Sequence, residues 1–96
     1  MKMQKHVRME AFQLLRQMTL SKNINETVKR SIRLRLETIC EAEEAAYQRW
    51  QENIAHKLRP TRQAQVRREF EKRIKAYKIT IWNLTPYSER GPEPVF

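Results

Sequence analysis

The apolar residues between positions 4 and 18 recur at spacings of three and four, which places them on one face of a helix. This face consists of Val7, Ala11, Leu14, Leu15 and Met18. Met9 and Phe12 fall outside it. Two interpretations of this pair remain open: they are exposed apolar side chains, which are common on protein surfaces, or a partner covers them.

A second and much longer apolar stripe follows the polar segment SKNIN at residues 21–25. Asn23 or Asn25 is expected to cap its first turn, because an Asn side chain accepts the free backbone N–H groups there. A helix over residues 25–58 is about 50 Å long, whereas a compact chain of this size has a radius of gyration of only ~12 Å. The helix is therefore too long to be hidden inside its own globule. Its apolar residues are Val28, Ile32, Leu36, Ile39, Ala46, Trp50, Ile54 and Leu58.

Glu43 falls inside this second stripe. A buried carboxylate without a partner carries a large free-energy cost. We therefore expect either an arginine from another helix beside Glu43 or a position on the solvated rim of the stripe. The outer face of the same helix is interpreted as a solvated acidic face, or as one that meets basic side chains; it carries Glu37, Glu41, Glu44, Gln48 and Glu52.

Pro60 is expected to end the second helix, because the residue before a proline is disfavoured in helical geometry. Thr61 is then expected to cap the third helix. Its last residues, ITIWNL at 79–84, alternate as in a short strand, but we favour a helix there. The apolar face of the third helix consists of Val66, Phe70, Ile74, Tyr77, Ile81 and Leu84.

The final segment, TPYSERGPEPVF at residues 85–96, holds three of the four prolines and the only glycine. It is expected to be extended, because proline does not sustain regular structure. The sequence thus predicts an elongated all-α fold with three helices over about residues 4–18, 25–58 and 62–83. A basic helical domain at 1–84 is followed by an extended Pro-rich tail at 85–96.

The net charge of +9 is distributed in blocks. Residues 1–36 carry +7, residues 37–56 carry −4, residues 57–78 carry +7 and residues 79–96 carry −1. This basic, acidic, basic order suits a surface that meets phosphate, or a partner of complementary charge, at two places.

The residue types argue against an enzyme. The chain has no Gly-rich phosphate loop, no Ser or Cys nucleophile set with a His base, and no HExxH pair. His6 and His56 are isolated, so we expect no metal centre, no cofactor and no small-molecule substrate. Cys40 lies beside the apolar stripe and is interpreted as a packing residue. With no membrane span and no signal peptide, a cytosolic protein is expected.

Two binding functions remain. The first is direct, sequence-nonspecific binding of DNA or RNA, by a monomer or a homodimer, with affinity that falls steeply with salt. No helix-turn-helix, zinc-finger or Arg-Gly pattern supports it. Its phosphate contacts, or contacts to an acidic surface, would be Arg59, Arg62, Arg67, Arg68, Lys72, Lys75 and Lys78.

The second function is binding to another protein, which explains the overlong helix and the apolar residues outside the stripes, Leu34 among them. Large exposed apolar patches need cover, and aromatic side chains dominate interface energetics. A homodimer or a larger foreign complex could provide the cover. The candidate contacts are Phe12, Trp50, Pro60, Trp82, Tyr87 and Phe96.

The profile resembles the small phage-encoded anti-RecBCD proteins. The resemblance rests on chain length, the basic helical body from Gln4 to Leu84, the loop proline in KLRPTRQ and the tail YSERGPEPVF. It implies a non-enzymatic modulator that docks on the RecC subunit of the host recombination nuclease, where basic helices could also contact DNA. Pro60 then has two interpretations: a plain helix breaker, or a site for a host prolyl isomerase, since an Arg-Pro bond isomerises slowly.

Overall fold

The computed structural model describes residues 5–20 and 25–94 of the chain, without the side chains of residues 18–20. The described residues form three helices and no strand: α1 (Lys5–Leu20), α2 (Glu26–Asn53) and α3 (Pro60–Leu84). One-turn 3-10 helices follow α2 (Ala55–Lys57) and α3 (Tyr87–Glu89). The all-α prediction is confirmed, including the helical form of residues 79–84.

Two predicted helix boundaries are wrong. Helix α2 ends at Asn53, before residue 58, and the Ala55–Lys57 turn separates it from Pro60, so Pro60 does not end α2 as predicted. Helix α3 begins at Pro60 with Arg59 as its N-cap, so Thr61 is not the cap. Proline is tolerated at this first helical position, where its missing N–H has no intrahelical acceptor.

The start of α2 follows from one side-chain hydrogen bond. The Asn25 carboxamide oxygen accepts from the backbone N–H of Val28 at 2.8 Å, which satisfies one of the first-turn donors. Of the two predicted N-cap residues, Asn25 is therefore the one that caps α2. Asn23 lies outside the described residues.

Helices α2 and α3 form an antiparallel pair, and α1 lies antiparallel to the first half of α2. Tyr47 stacks on Phe70, and Lys78 pairs with Glu44, so contacts move backward along α3 as they move forward along α2. In the same way Arg8 reaches Glu43 while Glu10 reaches Arg35. Helix α1 therefore contacts the α2–α3 pair only along the half that contains the beginning of α2.

The buried residues form two clusters that reflect this arrangement. The first lies where all three helices meet and includes Ala11, Leu36, Ile39 and Tyr77. The second is formed by α2, α3 and the turn between them and consists of Ala46, Trp50, Ala55 and Phe70. The described chain measures 46 × 29 × 20 Å and has a radius of gyration of 15.0 Å, which exceeds the ~12 Å of a compact chain. The predicted elongated shape is confirmed.

The segment after α3 turns back on the helix end. The indole N–H of Trp82 donates to the carbonyl oxygen of Gly91 at 2.9 Å. The Arg90 guanidinium lies 4.5 Å from the centre of the Trp82 ring and donates to the carbonyl oxygens of Asn83 and Thr85. Residues 85–91 are thereby held against the end of α3.

Candidate interaction surfaces

Glu43 joins the three helices. Its side chain is fully buried. Oε2 accepts a hydrogen bond from Arg8 Nε at 3.2 Å, and Oε1 accepts from Arg8 Nη2 and from Arg73 Nε, both at 2.9 Å. Both guanidinium groups also lie over the Phe70 ring, at 5.6 Å and 4.8 Å from its centre. The expected arginine beside Glu43 is confirmed, and the structure supplies two.

A second ion pair fixes the rotation of α1 about its axis. Arg35 donates to the two carboxylate oxygens of Glu10 at 2.6 and 2.8 Å. This hydrogen bond lowers the pKa of Glu10 below its ordinary value. With Arg8 bonded on one side of α1 and Glu10 on the other, the face between them packs inward, and Ala11 has no exposed surface.

The opposite face of α1 presents large apolar side chains to solvent. Phe12 is 64% exposed and Met9 is 54% exposed. They share a shallow depression with cationic and amide side chains. We call this surface the α1 patch; it comprises Lys5, Arg8, Met9, Phe12, Gln13 and Arg16. The structure thus places the predicted contact Phe12 on an exposed apolar surface with a cationic border.

The basic residues of α3 do not form one uniform surface. Arg68, Lys72, Lys75 and Lys78 line a groove between α2 and α3 of about 1210 Å³. Its other wall carries the acidic face of α2, and Lys78 Nζ lies 3.7 Å from Glu44 Oε1. Glu44, Gln48 and Glu52 of the acidic face therefore meet basic side chains, one of the two predicted environments, whereas Glu37 and Glu41 do not line this groove. Part of the positive charge of α3 is compensated within the chain.

The remaining predicted cations lie elsewhere on the surface. Arg67 is exposed on α3 and acts electrostatically on Tyr47, whose hydroxyl donates to Glu71 at 3.0 Å. Arg59 is the N-cap of α3, and Arg62 lines a different groove that also contains Arg8. The seven cations thus border at least two separate surfaces.

Trp50 requires a correction as a partner contact. It is only 7% exposed, because its ring packs 5.9 Å from the centre of Phe70 and 6.1 Å from that of Tyr47. Phe70 lies on α3, so the antiparallel pairing itself covers the indole. Trp50 contributes to the core and offers little free surface to a partner.

The other predicted contacts differ in exposure. Tyr87 is 87% exposed, and Pro60 is exposed at the first position of α3. Trp82 is half-buried beneath Arg90. Phe96 lies outside the described residues.

The Cys40 thiol is buried in the first core cluster. Burial, followed by a hydrogen bond to Glu44, raises the pKa of this thiol to about 12. The thiol is therefore protonated at neutral pH and is a poor nucleophile, in agreement with the predicted packing role. Among residues 5–20 and 25–94, no three His, Cys, Asp or Glu side chains are grouped closely enough to hold a metal ion.

One surface was missed from the sequence: a groove of about 590 Å³ on the α2–α3 pair, beyond Arg8. A signal for it existed. The apolar stripe of the first predicted helix is about half as long as that of the second, so α1 could cover only part of an α2–α3 pair.

Comparison with protein-family models, curated proteins and solved structures finds nothing similar to this chain. Among the described helices, none combines the length and apolar character that crossing a membrane requires.

Proposed function

We propose that this chain is a non-enzymatic protein that acts by binding another protein through the α1 patch. The partner suggested by the sequence resemblance is the host RecBCD complex, at its RecC subunit, in the bacterial cytoplasm. The observation that carries the proposal is the exposure of Met9 and Phe12 on a helix whose orientation is fixed by the buried Glu43 ion pairs. The exposed pair thus lies on a helix that the Arg8–Glu43 and Glu10–Arg35 pairs tie to α2.

The energetics favour a protein surface as the occupant of the α1 patch. Complete burial of a Phe or Met side chain contributes about 1.5–3 kcal/mol relative to exposure. Phosphate groups gain nothing from apolar side chains, whereas a protein surface can cover them and also place carboxylates near Lys5 and Arg16 at the border. Pro60, exposed at the start of α3, remains the proposed contact for a host prolyl isomerase.

Phe12→Ser is expected to weaken binding to purified, DNA-free RecBCD complex by at least about tenfold. The variant loses the free energy of burying the Phe ring, and a loss of about 1.4 kcal/mol corresponds to a factor of ten. Biolayer interferometry with the immobilised chain measures this change. Leu34→Ser is the matched control, since Leu34 is 52% exposed on α2 and lies outside the α1 patch. Equal affinities for the wild type and the Phe12→Ser variant would remove the α1 patch from the proposal.

Direct nucleic-acid binding is the second candidate function. It is favoured by Arg68 and Lys72, which are exposed on α3 beside Lys75 in the α2–α3 groove. The acidic wall of the same groove opposes it, because carboxylates repel phosphate.

Changing Arg68, Lys72 and Lys75 together to Glu separates the two candidates. Under the protein-binding proposal, the affinity for the RecBCD complex changes less than in Phe12→Ser. Fluorescence anisotropy with labelled duplex DNA provides the comparison: a DNA-binding function requires wild-type affinity that falls by about 0.9 log unit per log unit of salt for each phosphate contact. Loss of this salt dependence in the triple variant, together with wild-type DNA affinity in Phe12→Ser, would favour direct nucleic-acid binding.

A further inference from the structure

A groove lies beside the buried second core cluster and is bordered by Arg8 of α1. We call it the distal groove. It continues the groove that α1 occupies farther along the α2–α3 pair, and it begins at Arg8, which contacts Glu43. Its floor combines the largely buried Ala46, Trp50 and Phe70 with side chains that are more accessible to a partner: Ile54, Leu58 and Val66.

The dimensions of the distal groove suit a helix. The groove follows α2 from Ala46 to Ile54, which is about 12 Å or two helical turns, and its volume is about 590 Å³. In the adjoining part of the same pair, α1 packs through Val7, Leu14 and the fully buried Ala11. Helix α1 therefore shows how these two helices accept a third.

The rim of the distal groove selects the charge of an occupant. It carries the guanidinium groups of Arg62, of Arg49 and of Arg8, which is already bonded to Glu43, and no carboxylate among the described residues that line it. The groove on the opposite side of the pair has Glu44, among other carboxylates, facing lysines. The charged side chains that line the distal groove are all cationic, so acidic side chains flanking an apolar stripe would be complementary to it.

We propose that the distal groove binds an acidic amphipathic α-helix of a protein partner. This inference rests on the proposed function, because it adds a second contact to a protein that acts by binding protein. The recognition mode is a helix in a groove, with apolar anchors at i, i+3, i+4 and i+7. The arginine rim attracts the carboxylates that flank those anchors.

A synthetic peptide tests the distal groove without the natural partner. The probe is an amphipathic peptide of about four helical turns, with leucines at the anchor positions and glutamates on both flanks; its twin has lysine in place of every glutamate. Trp50 in the groove floor reports binding by fluorescence in a Trp82→Phe background. We expect the lysine twin to bind at least about tenfold more weakly, because the rim repels it.

Two variants of α2 and its end provide a matched comparison. Ile54→Glu places a carboxylate in the distal groove, whereas Leu34→Glu makes the same change outside it; the two side chains are 39% and 52% exposed, so both variants are expected to fold. Ile54→Glu should abolish binding of the acidic peptide, Arg62→Glu should weaken it at least about fivefold, and Leu34→Glu should leave it unchanged.

Three results would overturn the distal-groove proposal. The first is equal affinity for the acidic peptide and its lysine twin, and the second is an equal effect of Ile54→Glu and Leu34→Glu on peptide binding. The third is a concentration-dependent dimer that Ile54→Glu dissociates, since a second copy would then occupy the groove. Failure of the peptide to bind, with the Phe12→Ser effect intact, overturns this inference alone. Loss of the Phe12→Ser effect overturns the proposed function, whatever the peptide does.

Discussion

Glu43→Ala is expected to destabilise the protein by about 3–5 kcal/mol, because removing one partner of a buried ion pair leaves the remaining charge uncompensated. Here two guanidinium groups, those of Arg8 and Arg73, lose their shared acceptor. For a domain of this size, the expected fall in Tm exceeds about 10 °C. Thermal unfolding followed by circular dichroism at 222 nm, where helices give a strong negative signal, measures it.

Glu10→Ala is the control for this prediction. It also removes an Arg–Glu pair that links α1 to α2, but the Glu10 carboxylate and Arg35 are solvent-accessible, so screening by water limits the loss. We expect a much smaller fall in Tm than for Glu43→Ala. Equal falls in the two variants would contradict the central structural role assigned to Glu43.

Phe70→Ala is expected to cost about 3–5 kcal/mol of unfolding free energy, the range for truncating a buried aromatic side chain. Phe70 is 7% exposed and stacks on Tyr47 with ring centres 5.0 Å apart. Its ring also lies beneath the Arg8 and Arg73 guanidinium groups. The substitution therefore removes the packing of the second core cluster and a cation–π contact of each arginine. Urea unfolding monitored by circular dichroism gives the free energy.

Phe12→Ala is the control with the same change of side chain. Phe12 is 64% exposed, and substitutions at such surface positions usually change stability by less than about 0.5 kcal/mol. The variant should therefore unfold like the wild type. A large loss of stability would mean that the chain itself covers Phe12, and the α1 patch could not then be a free binding surface.

The three helices could be predicted because their apolar stripes keep the three-four spacing over many residues. The ion pair at Glu43 could be predicted in kind, since a carboxylate inside an apolar stripe needs a cation. Its partners could not be chosen from the sequence, because Arg8 and Arg73 lie 35 and 30 residues away and many other Lys and Arg side chains were equally available on charge alone.

The end of α2 and the role of Trp50 show what periodicity leaves undetermined. Ile54 and Leu58 continue the three-four spacing, yet the chain leaves the α-helix at Asn53 and passes through a 3-10 turn. Trp50 lies on the same stripe, and the stripe alone does not specify whether α3 or another protein covers it. Packing against Phe70 decides this, and that contact depends on how the two helices align.

The α1 patch could be anticipated from the sequence in part. Met9 and Phe12 are outside the apolar face of the first helix, so their exposure follows from helical geometry. The distal groove could not be located in the same way, because its position depends on where α1 stops along α2. That position is set by the pairs Arg8–Glu43 and Glu10–Arg35.

The central claim is that the chain acts by binding protein through the surface that its own fold leaves exposed. Its most direct test is capture from a bacterial lysate, before and after nuclease treatment, on immobilised wild-type chain and on Phe12→Ser, with the protein and nucleic acid retained on each measured. We expect a stoichiometric host nuclease complex on the wild-type chain and its loss on Phe12→Ser. Retention of nucleic acid alone before nuclease treatment, and of nothing after it, would contradict the claim.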